Sequence, residues 1–156
     1  MPRSYSVITE AVAVSAVQDL IQIKGAAGKI LKILSVSVGA SNTTVPPAQM
    51  LDLRCRFLPA TVTDGSGGSS PTPKPLDPGD AAASFTAKAN NTTQATTSGT
   101  PAVLMAKGVH IYSGLDYSFL KPPIIGPSES FTFELQSTVA GSVNLTTEVV
   151  VEELGG

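Results

Sequence analysis

His110 is the only histidine in this chain and Cys55 the only cysteine. A Ser-His-Asp relay needs a nucleophilic serine presented beside the histidine, and no G-x-S-x-G turn accompanies His110. Set between Val109 and Ile111, His110 reads as a structural residue of an apolar strand. Zinc held by one His and one Cys would need carboxylates for most of its ligands, unlike the usual nitrogen and sulfur sets. Cys55 falls on the apolar side of an alternating run, which predicts an inert buried thiol. Lys24-Gly-Ala-Ala-Gly28-Lys29-Ile30 glances at a phosphate loop. Its glycines are three apart rather than five, and Ile30 stands where a Ser or Thr must reach Mg²⁺. Gly65-Ser-Gly67-Gly68 lacks the following helix of a dinucleotide fingerprint. Asp77 and Asp80 flank Pro78-Gly79, two carboxylates where calcium wants roughly six or more oxygens. A glycoside hydrolase or lectin needs sugar-stacking aromatics, and the chain has no Trp and three Tyr. The expectation is therefore a protein with no catalytic, cofactor or metal residues, and not an enzyme.

The elements that would carry these residues read as strands. Ser4 to Ser15 is β-like, with Ile8, Val12 and Val14 assigned to one face and Tyr5 and Val7 to the other. Gln18 to Lys24 alternates, Gly25 to Gly28 turns, and Lys29 to Ala40 runs on with Ile30, Leu34, Val36 and Val38 on one side. The β-branched run there favours strand over helix. Met50 to Pro59 alternates most cleanly: Leu51, Leu53, Cys55 and Phe57 against Asp52, Arg54 and Arg56. After residue 100, strands follow through Val103 to Ile111, Leu115 to Phe119, Phe131 to Leu135 and Val143 to Val151. About eight short strands separated by turn signals predict an all-β fold, an eight-stranded antiparallel jelly-roll-like sandwich in a single domain.

Between the two strand sets lies Ala60 to Thr100, which does not read as sheet. A connection of this length is usually functional or disordered. Its Gly/Ser run and closely spaced prolines predict a flexible, then polyproline-like tether over 63–80. Asp80 is positioned to cap a short helix over 80–90. Ordering the arm costs on the order of 40–80 kcal/mol of backbone entropy. Val62, Leu76 and Phe85 each return only about 1.5–3 kcal/mol on burial. The arm therefore cannot order itself: it is mobile, or it is held against other surfaces. Arg54, Arg56, Leu76, Phe85 and Tyr5 are the expected partner-contact residues.

Charged residues make up 14% of the chain, and the net charge is −2. That balance argues against nucleic acid as a partner. A weakly charged exterior suits a surface covered by neighbouring subunits, hence a homo-oligomer. Residues 1–59 hold six basic and three acidic side chains, and residues 101–156 two and six. Either the halves neutralise each other inside one sandwich, or they meet head to tail between subunits. No apolar run is long enough to cross a membrane, and the start of the chain has no apolar core of a secretory signal, so synthesis in the cytosol is expected.

Several stretches together resemble small proteins encoded among the head genes of tailed bacteriophages and prophages. They are Tyr5-Ser-Val-Ile with Val12 to Leu20, the arm from Gly65 to Asp80, Phe85-Thr-Ala-Lys-Ala-Asn-Asn-Thr-Thr, and the ending Thr147-Glu-Val-Val-Val-Glu-Glu-Leu-Gly-Gly156. The resemblance spans most of the chain and is most specific in the arm. It implies a virion structural protein similar to capsid decoration (cement) proteins, a β-rich trimer on the outer surface of the head. Its partner would be the major capsid protein. A tail, neck or fibre component, or a jelly-roll receptor- or glycan-binding module, is the alternative expectation.

Overall fold

Strict alternation makes one of the two longest strands. From Val143 to Leu154 every second side chain is buried: Val143, Leu145, Thr147, Val149, Val151 and Glu153. Such period-two burial is what a sheet with one face on a core requires. The computed structural model describes residues 1–155, and among these it is all β, with no helix. The strands are β1 (Arg3–Val14), β2 (Gln18–Lys24), β3 (Ile30–Ala40), β4 (Met50–Leu58), β5 (Val62–Thr63), β6 (Lys74–Pro75) and β7 (Thr86–Asn91). They continue as β8 (Thr96–Thr97), β9 (Ala102–His110), β10 (Leu115–Ser118), β11 (Ile124–Ile125), β12 (Ser130–Leu135) and β13 (Val143–Leu154).

Two antiparallel sheets face each other across the core. The first runs β10-β3-β13-β1-β6, with β11 also on β3; the second runs β7-β2-β12-β4-β9. A third, two-stranded ribbon pairs β5 with β8. Tyr5, Val7, Leu31, Ile33, Val149 and Val151 of the first sheet share a core with Ile21, Ile23, Leu53, Cys55, Phe131 and Phe133 of the second. Thirteen strands stand where about eight were expected. Four of the additional ones lie in the arm, whose residues were not expected to join the sheets.

Two face assignments are corrected. On β3, Leu31 and Ile33 are buried while Ile30 is exposed. A register shift against β13 between Ile33 and Ser35 restores the expected face only at Val36 and Val38. The other correction is on β1. Tyr5, Val7 and Thr9 point inward and Ile8 outward, yet Val14 is again buried. The register against β13 shifts between Thr9 and Val12, and Ala11 sits at φ 48°. A bulge adds one residue and reverses the parity of everything after it. Thr146 Oγ1 accepts the bulged Ala11 N–H at 3.0 Å.

The helix expected over 80–90 is also corrected. Asp77 to Asp80 closes a turn, with Asp80 N donating to Asp77 O and Gly79 N to Asp77 Oδ1. Asp80 reaches Arg3 at 3.7 Å. Residues 86–91 are strand because Phe85, Ala87 and Ala89 alternate inward, and β7 pairs along β2. Small alanines let this strand lie close at the sheet edge, and that packing outweighs their helix preference.

Candidate interaction surface

The arm is fastened to its own subunit. Tyr5 is fully buried, packs edge to face on Phe85 at 5.6 Å, and donates its hydroxyl to Ala81 O at 2.9 Å. Both aromatic rings, expected as partner contacts, are thus buried within the chain, joining arm to body. Leu76, by contrast, is exposed, and its N–H donates to Ser4 O at 2.8 Å. The Gly/Ser stretch is not a loose tether. Ser66 and Thr93 exchange two backbone hydrogen bonds, and so do Ser69 and Ala89. A Cβ on Gly68 would stand 1.9 Å from Ala89 O, and one on Gly65 would stand 2.3 Å from the Asn91 amide. The glycines permit close approach rather than freedom.

Carboxylates add to the fastening by the β7–β2 and β6–β1 ladders. Asp64 accepts from Gln22 Nε2 and Lys24 Nζ, each at 3.0 Å. Glu153 accepts from Ser84 N at 2.9 Å and from Ser84 Oγ at 3.1 Å. Asp19, fully buried on β2, accepts from Ala95 N at 2.8 Å and from Asn91 Nδ2 at 3.1 Å through Oδ2. Its Oδ1 has no hydrogen-bond partner. Burial, reinforced by the Glu134 charge, pushes the Asp19 carboxyl up to about 6, against the pull of those two donors and of Arg56.

Beside this covered region, β4 and β12 place Arg54, Arg56 and Glu134 on the outer face of the second sheet. Arg54 Nε donates to Glu134 Oε2 at 2.8 Å, and Arg56 Nε to Oε1 at 2.5 Å. Thr132 Oγ1 and Gln136 Nε2 complete the shell of this fully buried carboxylate. The two arginines expected to meet a neighbour therefore meet Glu134, with part of Arg54 left exposed. A shallow cleft of about 380 Å³ lies alongside, between Arg54, Asp52 and Gln136 and the small residues Ala106 and Gly108. Edge strand β9 forms its rim. β9 carries a bulge opposite Cys55 and Arg56, and Lys107 lies over the Tyr117 ring at 5.2 Å. A bulge and an edge lysine both discourage strand addition.

Every basic side chain of residues 1–59 has an acidic partner inside the subunit. Arg3 pairs with Asp80, Lys24 with Asp64, Lys29 with Glu153, Lys32 with Glu152, and Arg54 and Arg56 with Glu134. Thus the uneven charge along the chain is balanced within one subunit.

The buried carboxylates Asp19, Glu134 and Glu153 escaped the sequence reading. Glu134 sits at a polar position of an alternating strand and looks like a solvated residue. Two carried a signal: Glu153 falls on the inward parity of β13, and Asp19 falls on the parity of Ile21 and Ile23, although a register shift on β2 pairs it with Glu134 instead. No group of three His, Cys, Asp or Glu able to hold a metal ion is found among the described residues. Comparisons with protein-family models, with curated proteins and with solved structures found no match to this chain.

Proposed function

We propose that this chain is a non-enzymatic virion structural protein, a capsid decoration protein of a tailed phage built on a jelly roll. The observation that carries the reading is the strand order. With the arm strands and β11 set aside, β10-β3-β13-β1 faces β2-β12-β4-β9. Successive strands cross from sheet to sheet except at β4 and β9, where the arm is inserted. This order supports the jelly-roll reading, two Greek keys wound together, a fold used by viral capsid proteins, lectins and cupins. A fold alone does not fix a function. The head-gene resemblance favours the capsid reading. The scarcity of exposed aromatics disfavours the lectin reading, since Tyr5 is buried.

The arm folds back on its own sandwich, so bracing of capsomers falls to the outer surfaces of the body. Exposed Leu76, on the folded-back arm, and the cleft beside Arg54, on the body, are apolar and polar features of that outer surface. The test is to incubate the purified protein with expanded, undecorated capsids assembled from the neighbouring head genes, and to image them. Density at symmetry-related outer sites is expected. Bare capsids at saturating protein would refute the reading, and labelling along a tail or at one vertex would favour a tail or neck role.

A further inference from the structure

Four loops meet at one end of the sandwich: residues 15–17, 41–49, 111–114 and 136–142. None of them contains a charged side chain. They are also tied into one cap. Gln49 donates to Ala140 O at 2.9 Å and accepts Ala140 N at 2.8 Å. Tyr112 donates its hydroxyl to Pro46 O at 2.7 Å, Val139 N donates to Ser15 O, and Asn42 Nδ2 donates to Ser142 O at 2.8 Å. Gly141 lies against Pro47, where a Cβ would come within 2.9 Å of the proline ring. Large apolar side chains stand out from this cap. Val45 is 78% exposed, and Met50 and Tyr112 are each 55% exposed. Met50 is the register partner of His110, whose ring lies 4.9 Å from that of Tyr112, and the Tyr112 hydroxyl reaches Pro46, the residue after Val45.

We propose that this uncharged end is the surface through which copies of the chain associate. Charge selects the occupant. Around a symmetry axis identical residues meet each other or their near neighbours, and like charges brought together in this way cost several kcal/mol. The outer faces of both sheets carry formal charges, including Glu148 and Glu152 on one and Asp52, Arg54 and Lys88 on the other. The loop cap carries none, so it can face its own image without repulsion. Its apolar centre and hydrogen-bonded frame supply burial with little ordering cost. This inference is independent of what the assembled protein binds.

The experiment measures mass by light scattering across a wide concentration range. The wild-type chain is expected to be oligomeric. Val45→Asp, at a site exposed enough to spare the fold, is expected to weaken association at least about tenfold. Mixing it with Val45→Lys is expected to restore assembly by pairing opposite charges. Leu120→Asp, at the exposed corner between β10 and β11, is expected to leave the mass unchanged. A monomeric wild type, an unaffected Val45→Asp, or dissociation by Leu120→Asp would each overturn the proposal. So would a monomer whose capsid binding is abolished by Val45→Asp, since the cap would then face the capsid.

Discussion

Replacing Asp19 with Asn isolates the least comfortable group in the fold. The carboxylate is fully buried, one oxygen holds Ala95 N and the Asn91 amide, and the other has no partner. Raising its carboxyl from 3.8 to about 6 makes the folded state prefer the neutral form by about 3 kcal/mol. Because the folded chain holds this proton more tightly than the unfolded chain, folding takes up a proton between these values. Stability from this group is greatest below about pH 4, falls as pH rises toward 6, and is level above about pH 7. Asn keeps an acceptor for Ala95 and carries no charge. Urea denaturation of both proteins from pH 4 to pH 7.5 reads the difference. The variant should gain about 2.4 kcal/mol on wild type between the two ends of that range, whatever its constant offset. Parallel profiles would refute the argument that Asp19 is a strained carboxylate.

Other substitutions test the remaining contacts. Glu134→Ala leaves Arg54 and Arg56 side by side without an anion. A loss of about 3 kcal/mol in urea is expected, at the low end for a broken buried pair because Arg54 is 28% exposed. Phe85→Ala should cost about 3–4 kcal/mol and Tyr5→Phe about 1 kcal/mol, both by the same assay. Gly68→Ala should detach the stretch beside β7 and speed proteolysis within residues 65–70, since its Cβ would collide with Ala89 O. Cys55 is buried and its thiol is pushed up by desolvation, so thiol reagents should label it only at the rate of unfolding.

The body of the fold was written in alternation. Leu51, Leu53 and Cys55 on β4, Phe131 and Phe133 on β12, and the valines of β13 all face as their spacing dictates. Where parity changed within a strand the pattern misled, because the bulge at Ala11 left no glycine or proline to mark it. The arm was misread for a different reason. Its prolines and glycines speak for the local chain, whereas its order comes from distant groups: Asp19, Gln22, Ser4 and Glu153. The alternation of Phe85, Ala87 and Ala89 against Thr86 and Lys88 was the available sign of β7. Arg54 and Arg56 were legible as an outward pair, but their anion lies on β12, which the sequence alone does not bring beside β4.

The arm belongs to its own sandwich and is held by it. Amide hydrogen exchange on dilute protein tests this directly. The amides of Ser66, Ser69, Ala89, Thr93 and Ala95, all hydrogen-bonded within the chain, should be protected to nearly the degree of β12. Exchange at unfolded-chain rates across residues 60–100, with the body still protected, would contradict it.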